Sequence, residues 1–304
     1  MKNKSRLVLI IILIFSSGYT VKSQDVKTTE IWLVDLFNKD GQLSCGIPQK
    51  ITDNDYYDNQ PCFSADGRFV YFSSMPDTPQ TDIFEYDTRT KISRRITNTP
   101  ESEYQPQPMP GKKNLLSMIR VDEEKAQGFY SVNMDGTELE NLSENSDSVA
   151  YYTWLNDSTL GMYVLHSELS MLLQFDILIQ QSIIIMEGGS FGRCLQKIPG
   201  SADLSYMVKP GKDDWFIYNF SFEQEDSIFI CKTLPGEEDF CWTPSKHILM
   251  GSKGKLYMYD TALQDKAQWK MIADFTKTIG NFYRLTCSPI GNKLAIVSYV
   301  GTKP

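Results

Sequence analysis

The 304-residue sequence predicts an all-β protein: a six-bladed β-propeller of four-stranded antiparallel blades. The first observation behind this is a period. Apolar residues beside a recurring turn stand at Phe63, Met109, Trp154, Ile198, Trp242 and Cys287, separated by 46, 45, 44, 44 and 45 residues. A repeat of roughly 40 to 50 residues marks a propeller, whose blades cannot bury their own faces and must stack on neighbours. The second observation is an independent marker in the same register. The third strand of each repeat begins at Ile31, Ile83, Phe129, Leu172, Trp215 and Leu256, and four residues later stand Asp35, Asp87, Asn133, Asp176, Asn219 and Asp260. These short polar side chains are expected to bond back to the backbone and open a hairpin.

The third observation concerns the ends. The segment Ile31–Asp35 has no first and second strand before it, and the hairpin at 284–300 has no third and fourth strand after it. Residues 29–52 are therefore expected to complete the last blade against residues 277–301. That closure removes exposed strand edges.

Taken in order, the clearest repeat is 58–99. Phe63 ends strand a, Asp66-Gly67 makes a tight turn with positive φ, and Phe69 to Ser73 forms strand b. Ile83 to Tyr86 and Ile92 to Thr97 supply strands c and d. The later repeats keep a Gly, Asn, Asp or Pro turn between two apolar runs, at 109–118, 154–164, 198–208, 242–250 and 287–297.

Ahead of the ring, Lys2, Lys4 and Arg6 precede the apolar run Leu7 to Phe15, followed by small and polar residues to Ser23. This is the pattern of a secretory signal peptide at 1–23, leaving 24–304 as the propeller. A membrane anchor would need about 20 apolar residues, so no membrane span is expected after cleavage, and the location is periplasmic or secreted. Cleavage removes four basic residues and no acid, taking the net charge from −8 to −12. A chain this acidic, with no basic stripe, is not expected to bind nucleic acid. The six cysteines lack the spacing of a disulfide framework or a zinc site and read as small core residues.

Candidate chemistry is sparse. Gly188-Gly189-Ser190-Phe191-Gly192 fits the G-x-S-x-G pattern of a hydrolase, but that motif needs a helix after the serine. Here the chain runs into a strand stopped by Pro199-Gly200. His247 belongs to another blade, a strand length of roughly 16 Å away, whereas a base must approach within about 3 Å. His166 and His247 are the only histidines and occupy non-equivalent positions, so no transition-metal site is predicted. The abundant carboxylates leave oxygen-only calcium coordination open, but no twelve-residue calcium loop occurs, and no metal and no cofactor are assigned.

The segment Gln60 to Ser74 followed by Thr81 to Thr97 resembles the WD-like repeat of TolB-type six-bladed propellers, a family of exported bacterial proteins. It carries that pattern at Pro61, Phe63, Ser64, Asp66, Gly67, Arg68, Val70, Phe72 and Ser74, then at Asp82, Ile83, Phe84, Asp87, Ile96 and Thr97. Gln105 to Met109, Gln127 to Tyr130 and Asn141 to Ser143 match in part, and the remaining repeats match by period. The resemblance implies the propeller over 29–301. TolB proper adds an N-terminal α/β domain and docks to a peptidoglycan-associated lipoprotein, and this chain offers no segment for that domain. Prolyl-oligopeptidase-like enzymes place a similar propeller before a hydrolase domain. Oligogalacturonate lyases use a histidine-bearing metal site, from which this chain departs.

The expected function is therefore non-enzymatic: an exported monomeric propeller that binds a protein, peptide or glycan of the cell envelope. The expected surface is the mouth of the central channel, where loops between strands d and a collect Tyr57, Asn59, Tyr104, Tyr151, Tyr152, Arg193, Glu238, Asp239, Tyr283 and Arg284. Tyrosines among amides and paired charges have the composition of a recognition surface. The alternative is a lyase or hydrolase in the same mouth. Convergence of Glu238, Asp239, Arg193 and Arg284 in one pocket, as against a spread around the rim, separates the two arrangements.

Overall fold

The computed structural model describes residues 28–76, 80–143, 148–166 and 169–300. The expected signal peptide at 1–23 lies outside them. Strands β1 (Thr29–Lys39), β2 (Gln42–Cys45) and β3 (Gln49–Lys50) open the chain. Blade 1 follows as β4 (Asp58–Phe63), β5 (Phe69–Ser74), β6 (Asp82–Asp87) and β7 (Ile92–Arg95). Blade 2 is β8 (Ser102–Pro108), β9 (Leu115–Val121), β10 (Gln127–Asn133) and β11 (Glu140–Asn141). Blade 3 is β12 (Ser148–Trp154), β13 (Thr159–His166), β14 (Leu169–Asp176) and β15 (Gln181–Glu187). Blade 4 is β16 (Phe191–Lys197), β17 (Leu204–Val208), β18 (Phe216–Ser221) and β19 (Asp226–Lys232). Blade 5 is β20 (Phe240–Trp242), β21 (His247–Ser252), β22 (Lys255–Asp260) and β23 (Lys270–Asp274). Blade 6 begins with β24 (Phe282–Cys287) and β25 (Lys293–Tyr299) and is completed from the N-terminal side.

That completion follows the expected register. β1 runs antiparallel to β25, from Thr29 opposite Tyr299 to Asp35 opposite Lys293. The outer strand is split: β2 pairs with the end of β1, and β3 pairs beside Trp32 and Leu33. Four of the a–b hairpins turn on a glycine with positive φ, at Gly67, Gly111, Gly200 and Gly291. In the first, Asp66 Oδ1 accepts from the Arg68 amide and the Ser64 hydroxyl, which holds the turn.

The c–d markers divide in a way the sequence did not show. Asp87, Asp176 and Asp260 each end strand c and accept backbone N–H groups from the turn that follows. Asn133 ends its strand but donates instead to Thr137 and Glu138. Asp35 and Asn219 lie inside β1 and β18, because those strands continue past the marker. Asp35 faces Lys293 across the closure, and Asn219 reaches Asp203.

The apolar core lies between blades. Six clusters occur among the described residues, one at each junction of the ring. At the closing junction, Ile31 and Leu33 pack with Phe63, Val70, Phe72 and Val297. Two junctions share a second device. Trp154 Nε1 donates to Ser117 Oγ at 2.8 Å, and Trp242 Nε1 donates to Ser205 Oγ at 2.8 Å. In both cases the indole on strand a crosses to strand b of the preceding blade, satisfying a buried donor.

Between blades 1 and 2 two buried carboxylates meet. Asp82 pairs with Arg95, while Glu103 accepts from the Thr97 and Thr99 hydroxyls and lies 3.9 Å from Arg120 Nε. Burial is the main cause that pushes the Glu103 carboxyl up to about 7, with Asp82 adding to it against the threonine hydrogen bonds. An unfolded glutamate releases its proton near pH ~4.3. Between those limits the folded state binds more protons, so stability falls as pH rises, by up to about 1.4 kcal/mol per unit.

Two outcomes are expected. Removal of residues 28–52 uncovers the β25 edge and the cluster around Leu33, so melting temperature falls sharply and aggregates appear in size-exclusion chromatography. A truncated chain with unchanged melting would contradict the closure. Glu103→Gln should flatten the decline in stability between about pH 5 and 7 seen in denaturant titrations.

Candidate functional site

Five of the six inner strands carry a break in register near the channel mouth. The breaks fall at Asn59/Cys62, Tyr104/Gln107, Val149/Tyr151, Phe191/Leu195 and Phe282/Arg284. A bulge adds one residue, bends the strand and re-aims its side chains. Gln60 and Gln105 sit in the first two breaks at φ 55 each and precede Pro61 and Pro106. A non-glycine residue in this region costs of order 1–3 kcal/mol and persists where its surroundings hold it. Gln60 Oε1 supplies such a hold, accepting from the Gln105 amide and from Ser73 Oγ.

A cavity of about 240 Å³ opens along the axis, with all six blades contributing, among them Gln60, Gln105, Tyr151, Arg193, Asp239 and Arg284. Arg193, Asp239 and Arg284 are 46 and 45 residues apart, so they stand at corresponding points of blades 4, 5 and 6. Asp239 is 5 % exposed and is held from both sides. Arg193 donates to it through Nε and Nη2, and Arg284 through Nε at 3.4 Å. Burial by itself would raise its carboxyl. The charge of Arg284 and the hydrogen bond from Arg193 outweigh that and hold it below the usual range.

The polar chain continues around the ring. Arg284 Nη1 donates to Asn59 Oδ1 at 2.9 Å, and Asn59 Nδ2 donates to the Tyr283 hydroxyl at 2.6 Å. Glu238 accepts from the Arg193 amide and pairs with Lys209 Nζ at 3.3 Å. Both guanidinium groups lie over the Tyr283 ring, at 5.3 Å for Arg193 and 6.0 Å for Arg284. Of the four charged residues singled out in the sequence, Arg193, Asp239 and Arg284 line one cavity, and Glu238 lies beside it against Arg193 and Lys209.

The tyrosines sort differently. Tyr57 is shielded beside Arg284, Tyr283, Tyr104 and Tyr151, and burial moves its hydroxyl well above the ordinary phenol range. Burial likewise pushes Tyr283 up to about 12, against the opposing charge of Arg284. Tyr151 lines the channel and stacks on Tyr163, while Tyr104 packs partly against the core between blades 2 and 3. Tyr152 is a correction to the expected rim. It is fully buried between blades, with its hydroxyl bound to Ser117 Oγ and to the Gln105 carbonyl. Neighbouring strand residues point to opposite faces, so Tyr151 and Tyr152 cannot both reach the channel. Asn59 is also buried, inside the polar chain and not on the rim.

A second cavity of about 340 Å³ adjoins the mouth and shares Arg193 and Asp239 with the first. Trp215, Glu237, Lys253 and Tyr299 line its far side, and sequence reasoning did not single them out for binding. Trp215 and Lys253 lie in b–c loops and Tyr299 ends strand b of blade 6. The b–c side thus reaches this face together with the d–a loop that carries Glu237, which the repeat register itself could have indicated.

Ser190 leads directly into β16, with no helix after it. The six cysteines are free thiols, and burial pushes Cys62, Cys194, Cys231 and Cys287 up to about 12. No group of three or more His, Cys, Asp or Glu able to hold a metal ion occurs among the described residues. No described helix is long and apolar enough to cross a membrane.

These features define a six-bladed propeller with a polar, arginine-bearing channel mouth. No family model and no curated protein matches the sequence. Among solved structures it is similar to a TolB protein from Agrobacterium tumefaciens, with a TM-score of 0.68 at 11 % identity over 91 % of this chain and 99 % of that one. It is also similar to TolB from Acinetobacter baumannii, with a TM-score of 0.58 at 9 % identity over 89 % of this chain. There it spans 64 % of the partner's length. An oligogalacturonate lyase solved with manganese gives a TM-score of 0.53 at 12 % identity, covering 91 % of this chain and 99 % of that chain. At these identities the likeness is one of fold: the chain shares the six-bladed propeller architecture of these proteins.

Asp239→Asn keeps the shape and removes the charge between Arg193 and Arg284. Arg284 then has no carboxylate partner among the described residues, while Arg193 keeps Glu238. Breaking one side of a buried pair typically costs about 3–5 kcal/mol, an upper figure for such partly exposed arginines. A loss approaching that figure is expected in urea unfolding, and a loss below about 1 kcal/mol would show that the cluster is not a structural tie.

Proposed function

We propose that this chain is an exported, non-catalytic propeller that binds a protein or peptide partner of the cell envelope across its channel mouth. The observation that carries this reading is the mouth itself, a cavity to which all six blades contribute and which is rich in hydrogen-bond donors. The leader-like pattern at 1–23 supports export to the periplasm or beyond the cell.

Among the partner classes expected from sequence, a peptide is favoured over a glycan. Sugar sites offer open aromatic faces, whereas the rings here are occupied. Tyr283 stacks on Tyr299 at 4.6 Å and carries both guanidinium groups, and Tyr151 stacks on Tyr163 at 6.3 Å. Catalysis in the same mouth finds less support. A general acid or base works best with a pKa near the operating pH, while Asp239 is held low by two arginines and Glu238 is engaged by Lys209 and Arg193.

The test is capture from an envelope extract, followed by comparison of variants. Tyr151→Ala and Arg284→Ala should each weaken capture by about 2 kcal/mol or more, roughly 30-fold. Lys112→Ala and Lys246→Ala, on exposed a–b turns of the opposite face, should leave it unchanged. Equal loss in both sets would move the binding surface elsewhere.

A further inference from the structure

The channel has the opposite charge to the protein. Arg193, Arg284 and Lys197 line it against a single acid, Asp239, a net charge of +2 within a chain of −8. Lys209 and Glu238, which pair beside the mouth, leave that balance unchanged. An acidic protein that concentrates cations in one enclosed site focuses its field there.

The donors in this site are incompletely used. Asp239 and Asn59 take Arg193 Nε and Nη2 and Arg284 Nε and Nη1. Arg284 Nη2 makes no hydrogen bond among the described residues, and Arg193 Nη1 has only a 3.5 Å ion pair with Glu238. The hydroxyls of Tyr57, Tyr104 and Tyr151 make none either, although the same charges and phenols surround Tyr57. None of these atoms is buried without a partner. Arg193, Arg284 and Tyr151 line the channel, and Tyr57 lies beside Arg284 and Tyr151. Two guanidinium edges and three phenols form a set with N–H and O–H groups to give. Its complement is a group that only accepts, and a carboxylate does so with charge-assisted strength.

Size narrows the source of that carboxylate. The channel cavity of about 240 Å³ is below the usual range of about 300 Å³ and upward for small-molecule sites. A space of this size suits a chain end, which presents one terminal group, better than a loop that must enter and return. Gln60, Gln105, Gln107 and Gln196 line the same cavity. Gln60 Oε1 is taken by Ser73 and the Gln105 amide, and Gln105 and Gln107 both donate to the Tyr152 carbonyl. These amides therefore shape the wall, and the arginines and phenols hold the open donors.

We propose that the mouth receives the free C-terminal carboxylate of a peptide, seated against the outward guanidinium nitrogens of Arg193 and Arg284 and the hydroxyls of Tyr57 and Tyr151. This rests on the reading of the mouth as a peptide site and adds the polarity of the ligand to it.

The probes are two N-acetylated hexapeptide libraries that differ only at the C-terminus, one a free acid and the other a carboxamide, with a galacturonate trimer as the third arm. Each is passed over immobilised propeller, residues 24–304, and the retained material is quantified. The free-acid library should be retained about ten-fold or more over the amide, as expected for a charge-assisted contact. Arg284→Gln should bring that preference below about three-fold. Because Arg284→Gln also touches Asp239, Tyr57→Phe is the second variant, removing only a hydroxyl, and it should reduce the preference at unchanged melting temperature. Lys112→Ala should retain the full preference. Equal retention of acid and amide, a preference untouched by both Arg284→Gln and Tyr57→Phe, stronger retention of the galacturonate trimer, or no retention of any probe overturns the proposal. If acid and amide are retained equally while Arg284→Ala still abolishes envelope capture, the carboxylate assignment fails and the mouth survives as the binding surface. If capture is also insensitive, both fail.

Discussion

No blade of this protein can exist on its own, because each apolar cluster is shared by two blades. Closing the ring is therefore the constraint on which the rest depends. It rests on seven residue pairs between β1 and β25, where the first described strand of the chain meets the last. Without them Ile31 and Leu33 lose Phe63 and Val70 as neighbours, and the buried face of blade 1 opens to water. In repeat architectures stability sums over neighbour contacts, so an open ring loses a whole interface at once.

Closure also sets the chemistry of the mouth. Arg193, Asp239 and Arg284 come from three different repeats and have no local reason to meet. The ring places corresponding points of adjacent inner strands side by side. The bulges in β16 and β24 re-aim Arg193 and Arg284 toward Asp239, which leads into β20, a strand with no break. Asp239 then serves two arginines, fixing their orientation while leaving one Nη of each outside the arrangement of hydrogen bonds. A buried carboxylate of this kind adds little net stability over an apolar core, but it is costly to break and it holds the guanidinium planes in one place.

Particular residues show what could be read in advance and why the rest could not. The period located four of the a–b hairpins through Gly67, Gly111, Gly200 and Gly291, which meet a backbone need for φ above zero. Asp87, Asp176 and Asp260 behave as the turn logic demands, but Asp35 and Asn219 do not, since β1 runs on past Asp35 to pair with β2 and β18 runs on past Asn219 to pair with β17 and β19. Trp154 and Trp242 were visible as repeat markers. Their partners Ser117 and Ser205 were not, because a serine in a strand gives no sign of the indole that will reach it from the next blade.

The candidate site divides along the same line. The sequence by itself determined the six-fold period, the register of the strands, the acidic balance and the set of polar residues in the d–a loops, because these follow from spacing, turn chemistry and composition. Only the tertiary structure decided that Tyr152 seals a blade junction while Tyr151 faces the channel, since the bulge after Val149 sets the phase of strand β12. The tertiary structure also decided that the cations gather on the axis of an acidic protein and that Trp215 and Tyr299 join the mouth from the b–c side. Those outcomes depend on distances across the ring, and a one-dimensional pattern carries no information about distance until the ring is closed.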